Sequence, residues 1–140
     1  MRFTAFLLPT AIGFVASSIA AGAAAQTNVE LGKREFAGKC AVCHGTDAKG
    51  DGPYAADLKR RPADLTTIAR RNGGLFPMPR MYDIIEGSSP GHGPKEMPVW
   101  GWDYTIQASQ LHPGLPEDQA AYVRTRIASL LEYLNRLQVK

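Results

Sequence analysis

Cysteine and histidine are scarce in this chain of 140 residues, which has 2 cysteines and 3 histidines. Cys40 and Cys43 lie close together, whereas His92 and His112 stand alone in stretches rich in glycine and proline. A structural zinc site takes four ligands, so a second pair of Cys or His residues is lacking. A structural disulfide or a thioredoxin-like dithiol remains as an alternative, although the latter would follow a strand in a βαβ pattern, and none is visible.

Charge of either sign is also modest, with 16 Lys and Arg against 13 Asp and Glu and a net charge of +3. The basic run at residues 59–61 and the pair Arg70-Arg71 could dock an acidic partner, but so few charges favour a solvated face. Nothing in this pattern supports binding to nucleic acid. Strand signals are nearly absent as well, which favours an all-α fold.

The most informative residues are Cys40-Ala41-Val42-Cys43-His44, because the spacing C-x-x-C-H is typical of c-type haem attachment. Two thiols on one face of a helix end can form thioethers with the two vinyl groups of one porphyrin. His44 then lies under the iron, where one imidazole nitrogen is a good axial ligand and a backbone carbonyl usually orients the other. The motif predicts one covalent haem c, with its iron, held by Cys40, Cys43 and His44.

Residues 1–25 carry a single charge, Arg2, followed by an apolar run and then by three alanines at 23–25. This pattern predicts a secretory signal cleaved between Ala25 and Gln26, a mature domain of residues 26–140 and a periplasmic location. The alternative is an uncleaved membrane anchor, because no further charge appears before Glu30. Contact with a membrane is expected only in that second case, because the mature chain has no other apolar span.

Helical periodicity is clearest at the two ends of the mature chain. Thr27-x-x-Glu30 matches a capping box and predicts the start of a first helix that leads into the C-x-x-C-H motif. Pro116 and the two acidic residues after it predict the start of a last helix. Its apolar positions follow a 3.6-residue period: Val123, Ile127, Leu130, Leu131, Leu134 and Leu137. Shorter helices are predicted over 65–71 and 80–86, with loops elsewhere, so the class is a small all-α domain around the haem.

The second axial ligand is chosen from five residues: Met78, Met81, His92, Lys95 and Met97. Met97 is favoured because it is far enough from His44 for a loop and a helix to pass around the ring. Pro98 would stiffen its loop, and the indole N–H of Trp100 could donate to a haem propionate. Met78, between two prolines, is the main competitor, and any methionine can simply fill a core.

Three groups of residues carry a family resemblance: Cys40–Gly45 with Gly50-Asp51-Gly52-Pro53, residues 61–66, and residues 97–101. Together they resemble the bacterial class I mono-haem cytochromes c. The resemblance covers nearly the whole mature chain. It implies that Gly32 and Phe36 cross the last helix near residues 130–134, and that a proline carbonyl, from Pro53 or Pro62, orients His44. The segment 102–116 is longer than in the smallest members of the family and could form a partner-specific surface.

This resemblance implies a periplasmic one-electron carrier with His44 and Met97 as iron ligands and without catalytic residues, not an enzyme. Its partners would be respiratory or dehydrogenase proteins, and the chain would be a monomer or a subunit of a complex. One alternative is the electron-transfer subunit of a periplasmic dehydrogenase or oxidase complex. Another is a haem enzyme or gas-binding protein, if the sixth iron position is open. A third, if no haem is attached, is a dithiol oxidoreductase.

Overall fold

The computed structural model describes residues 17–89 and 97–139, with side chains described from residue 26 onward. Within these ranges the chain is helical and has no strand, which confirms the all-α prediction. The helices are α1 (Ser17–Glu35), α2 (Ala41–His44), α3 (Ile68–Arg71), α4 (Met78–Glu86), α5 (Trp100–Leu111) and α6 (Pro116–Arg136), with a π turn at Phe36–Cys40 and 3-10 turns at Ala55–Asp57 and Leu65–Thr67. In the part of the chain that is described, no helix has the length and apolar character needed to cross a membrane.

The helices α1 and α6 cross where α1 carries Gly32. A Cβ atom at this position would overlap the carbonyl oxygen of Ser129 in α6, so only glycine lets the two backbones approach this closely. One turn later, the ring of Phe36 packs on that of Tyr133, with 5.5 Å between the ring centroids. The crossing implied by the family resemblance is confirmed.

The core lies along this crossing and contains the apolar positions predicted for the last helix. Phe36 is 2% exposed, and it shares one core with four residues of α6: Ile127, Leu130, Leu131 and Leu134. Helix α6 begins with Pro116, followed by Glu117 and Asp118 in its first turn, as predicted. A proline lacks the N–H that would be unpaired there, and acidic side chains favour the positive end of the helix dipole.

The predicted start of the first helix was wrong. Thr27 and Glu30 lie inside α1, which already includes Ser17. Five of the ten residues of α1 before Thr27 are alanines, which are the strongest helix formers, so the helix continues through the capping-box pattern without a break. Of the predicted signal segment, residues 1–16 and the side chains of residues 17–25 lie outside what the structure describes, and cleavage after Ala25 stays a prediction.

Helix α5 was not predicted, since loops were expected between residue 86 and the last helix. It packs against α4 and α6 and buries Gly101, Tyr104 and Ala108. The shorter helices were predicted correctly: residues 65–71 form a 3-10 turn followed by α3, and α4 begins two residues earlier than expected, at Met78. Together these elements place the C-x-x-C-H motif at the end of α1, beside the core.

If Phe36 anchors the crossing of α1 and α6, Phe36→Ala should lower the free energy of unfolding by about 3 to 5 kcal/mol, as large truncations in a core do. Leu75→Ala is the matched control, because Leu75 is exposed and its truncation should change stability by less than about 0.5 kcal/mol. Chemical denaturation of both variants measures the difference. A loss below about 1 kcal/mol for Phe36→Ala would show that the ring does not hold the helices together.

Candidate functional site

The two cysteines lie on consecutive short elements after α1. Cys40 ends the π turn, in which the N–H of Ala41 donates to the carbonyl of Phe36, and Cys43 lies in α2. Both are partly buried and neither is in a disulfide. A π turn adds one residue to a helical turn and is frequent at functional sites. Here it directly precedes the segment that carries the two thiols and the histidine.

The environment of Cys40 does not suit a thiolate. Burial, with a smaller contribution from the charge of Glu35, raises the pKa of the Cys40 thiol to about 12. Zinc ligation and dithiol redox chemistry both use the thiolate, and reactive cysteines accordingly have a lowered pKa. A thioether carries no ionisable proton, so burial beside a carboxylate does not oppose it. The raised pKa of Cys40 therefore argues against dithiol chemistry at this site.

His44 is held by a backbone carbonyl, as a c-type axial ligand requires. Its Nδ1 lies 3.0 Å from the carbonyl oxygen of Ala63, and because that oxygen can only accept, Nδ1 carries the proton. Burial lowers the pKa of His44, which opposes protonation of the ring. The second ring nitrogen, Nε2, then keeps its lone pair for a metal ion. The expectation that Pro53 or Pro62 supplies this carbonyl was wrong, because the acceptor belongs to the residue after Pro62.

The carbonyl groups at the end of α2 are all paired with the loop that follows. A helix of four residues leaves these groups without partners of its own. The N–H groups of the loop donate to the four carbonyls in turn: Gly45 to Ala41 (2.9 Å), Tyr54 to Val42 (2.9 Å), Gly52 to Cys43 (3.1 Å) and Gly50 to His44 (2.8 Å). A Cβ atom on Gly52 would lie 2.5 Å from the carbonyl oxygen of Val42, so the loop can approach only with glycine there. These bonds fix the backbone that presents both cysteines and His44.

The segment that carries the Ala63 carbonyl is tied to the same loop. The N–H of Leu65 donates to the carbonyl of Ala48 (2.8 Å), and Nε of Arg61 donates to the carbonyl of Gly50 (3.1 Å). Asp64 caps the 3-10 turn that follows, because its Oδ1 accepts from the N–H (2.8 Å) and the hydroxyl (2.6 Å) of Thr66. The position of Ala63 is thus fixed from both sides.

Met97 is partly buried and packs on the hydrophobic core, which Cys40 and Leu65 also contact. Two close contacts join the C-terminal end of α4 to the residues after Met97. A Cβ on Gly101 would overlap the carbonyl oxygen of Glu86, and a Cβ on Gly87, the residue after α4, would overlap the side chain of Val99. The segment that follows Met97 is therefore anchored on the C-terminus of α4.

The other candidates for the second axial ligand differ in burial. Met81 is buried in the core, which matches the interpretation of a methionine as core filler, whereas Met78 is 37% exposed at the start of α4. Met78 lines a groove between α4 and α6 together with Tyr82 and Leu131. His92 and Lys95 lie outside the described residues.

The chain belongs to the cytochrome c family. A model of that family, described as Cytochrome c, matches residues 29–137. Searches among curated proteins and among solved structures found no match. Membership of the cytochrome c family implies a c-type haem with its iron and a role in electron transfer. The residues present fit this group, because two partly buried cysteines and an imidazole with a free Nε2 lie in one turn of backbone.

The sequence did not indicate which carbonyl binds His44, nor the cap at Asp64. The cap could have been found, since Asp followed two residues later by Thr is a common way to begin a helical turn. The acceptor could not, because every residue has a carbonyl group and the side chain does not mark it.

Asp64→Ala should lower the free energy of unfolding by about 1 kcal/mol at neutral pH, while Asp64→Asn, which keeps an acceptor, should cost much less. The Thr66 hydroxyl, with help from its N–H, lowers the pKa of Asp64. A lowered pKa means that this stabilisation is present above about pH 4, the ordinary range of the carboxyl group, and is lost as the pH falls through the lowered value. The difference between wild type and Asp64→Ala should therefore shrink on acidification in denaturation experiments, and a constant difference would contradict this assignment.

Proposed function

We propose that this cytochrome c is an exported one-electron carrier that holds one haem through thioethers at Cys40 and Cys43 and binds the iron with His44 and Met97. The observation that carries the proposal is the contact of 3.0 Å between Nδ1 of His44 and the carbonyl of Ala63. It fixes the tautomer and the orientation of the ring and leaves Nε2 as the ligand atom. The backbone bonds around α2 keep both thiols in the same turn as this ring.

When bound, the haem iron supplies a reversible one-electron couple, and a thioether ligand favours its ferrous state. The residues of this chain contribute binding and restraint. Ala63 prevents rotation of the imidazole, and the anchoring of Val99 and Gly101 on the end of α4 limits movement of the segment that carries the Met97 thioether. Fixed ligands suit electron transfer, because a small change in structure between two oxidation states keeps the barrier low. No acid, base or nucleophile is required for this function.

A second candidate function is the electron-transfer subunit of a periplasmic dehydrogenase or oxidase complex, with other redox proteins as partners. The observation in its favour is on α5, where Trp102 is 67% exposed and Ile106, one turn later, is 43% exposed. Large apolar side chains at the surface are typical of protein interfaces. Trp102→Lys should leave the haem spectrum unchanged in either case, and should release the chain from a complex only if this second function is correct.

The intact mass of the purified, fully matured protein tests export and attachment together. We expect the mass of residues 26–140 plus one haem, because cleavage follows Ala25 and the thioethers survive denaturation. Retention of residues 1–25 with partition into membranes would favour the anchor alternative. A mass without haem, and a denaturing gel that does not stain for haem, would contradict covalent attachment at Cys40 and Cys43.

Met97→Ala should open the iron site. In this variant we expect carbon monoxide to bind readily to the ferrous protein, the ferric iron-to-thioether charge-transfer band to vanish and the reduction potential to fall. Met78→Ala is the matched control and should keep the band, because Met78 lies at an exposed position in α4. Loss of the band in Met78→Ala and its retention in Met97→Ala would assign the ligand to Met78. Ready binding of carbon monoxide by the wild type would contradict the carrier function.

A further inference from the structure

A largely buried carboxylate outside the haem motif joins three helices. Glu35 is the last residue of α1, and its side chain is 11% exposed. Its Oε2 accepts a hydrogen bond from the hydroxyl of Tyr104 in α5 at 2.8 Å, and its Oε1 pairs with Nη1 of Arg126 in α6 at 2.5 Å. Bonds between a carboxylate and a cation are about twice as strong as neutral ones. The electron-transfer function proposed above does not by itself explain why a charge is buried here.

Arg126, the charged partner of Glu35, also contacts an aromatic ring of its own helix. Its guanidinium lies 4.7 Å from the centroid of the Tyr122 ring. It lines a surface groove with His112 and with Leu31, which is one helical turn before Glu35. Both oxygens of the carboxylate are therefore bonded, one to a cation and one to a neutral hydroxyl.

The motif begins one π turn after this carboxylate. The π turn Phe36–Cys40 directly follows Glu35, and one turn of such a helix brings Cys40 back near the same side as Glu35. The charge of Glu35 contributes to the raised pKa of the Cys40 thiol, after burial, and the charge of Lys39 opposes that shift. Burial also raises the pKa of Tyr104; Glu35 and Cys40 add to that shift, and the charge of Arg126 opposes it. Glu35, Tyr104 and Cys40 thus share one poorly solvated region.

We propose that Glu35 tunes the reduction potential of the haem attached at Cys40, and that its buried carboxylate lowers this potential. The inference rests on the proposed attachment of haem to Cys40. The ferric state carries one more positive charge than the ferrous state, so a nearby negative charge stabilises the ferric state. A charge in a poorly solvated region acts more strongly than the same charge in water. Glu35 does not bind iron and acts only through its field.

Lys39 carries the opposing charge next to Cys40, and it is ion-paired as Glu35 is, but its pair is more exposed to solvent. Its Nζ pairs with Oδ2 of Asp103 at 2.7 Å, and the side chains of this pair are 21% and 43% exposed. Solvent screens such an ion pair more than it screens Glu35. The ammonium also lies over the rings of Trp100 and Tyr104, at 5.2 and 5.3 Å from their centroids. Glu35 is therefore expected to have the larger effect on the haem.

The test is a redox titration of the matured haem protein carrying Glu35→Gln, which keeps the shape of the side chain and removes its charge. We expect a shift of the reduction potential to a higher value. Glu30→Gln is the matched control, because it removes the same charge from an exposed position of the same helix and should produce a much smaller shift. Equal shifts in the two variants, or no shift in Glu35→Gln, would overturn the proposal.

The charge-transfer band of the iron-bound thioether is recorded on the same samples. Its retention in Glu35→Gln shows that the potential has changed without a change of ligand, while its loss would show a purely structural role and overturn the inference. A wild type without a haem spectrum would instead overturn the proposed function itself.

If Glu35→Gln does not mature, the reduction potential of Tyr104→Phe tests the proposal instead. Without the hydroxyl the carboxylate has one donor fewer, so its field should be stronger and the potential lower. An unchanged or higher potential would contradict the proposal.

Discussion

The close approach of α1 and α6 at Gly32 is the constraint on which the rest of the structure depends. With no Cβ between the two backbones, Phe36 reaches the apolar stripe of α6 and fixes the direction in which α1 ends. The cysteine motif follows within one π turn, so its position is set by this crossing. Helix α5 then packs on α6, and its Tyr104 bonds to Glu35 at the end of α1. A shift at Gly32 would move all of these residues together.

The site itself is built mainly from backbone atoms. The four carbonyls of α2 bind N–H groups of one loop, and the imidazole of His44 binds the carbonyl of Ala63. Backbone groups cannot change rotamer, so bonds of this kind hold the imidazole of His44 in one orientation. Side chains act around this frame. Asp64 caps the turn after Ala63, and Glu35 and Lys39, which both precede Cys40 in the sequence, carry opposite charges.

The features of the fold and site that the sequence predicts well are those with a regular spacing of residues. The stripe of α6, its start at Pro116 and the C-x-x-C-H motif could be predicted, because each is a local pattern with a direct physical cause. Helix α5 was missed because its buried positions, Gly101, Tyr104 and Ala108, do not form an apolar stripe. Its large apolar residues Trp102, Ile106 and Leu111 lie instead at exposed positions. The pattern at Thr27 was misleading, since alanines before it extend α1. Hydrogen-bond partners that are distant in the sequence, such as Ala63 for His44 or Arg126 for Glu35, are set by tertiary packing. The local sequence therefore does not indicate them.

The central claim is that the iron of this cytochrome c is held between the imidazole of His44 and the thioether of Met97. X-ray absorption at the iron edge of the matured wild-type protein tests it most directly, because nitrogen and sulfur ligands lie at different distances from iron. The account predicts a first shell of the porphyrin nitrogens, one imidazole nitrogen and one sulfur in both oxidation states. A shell of nitrogen and oxygen atoms without sulfur, or iron with an open position, would contradict it.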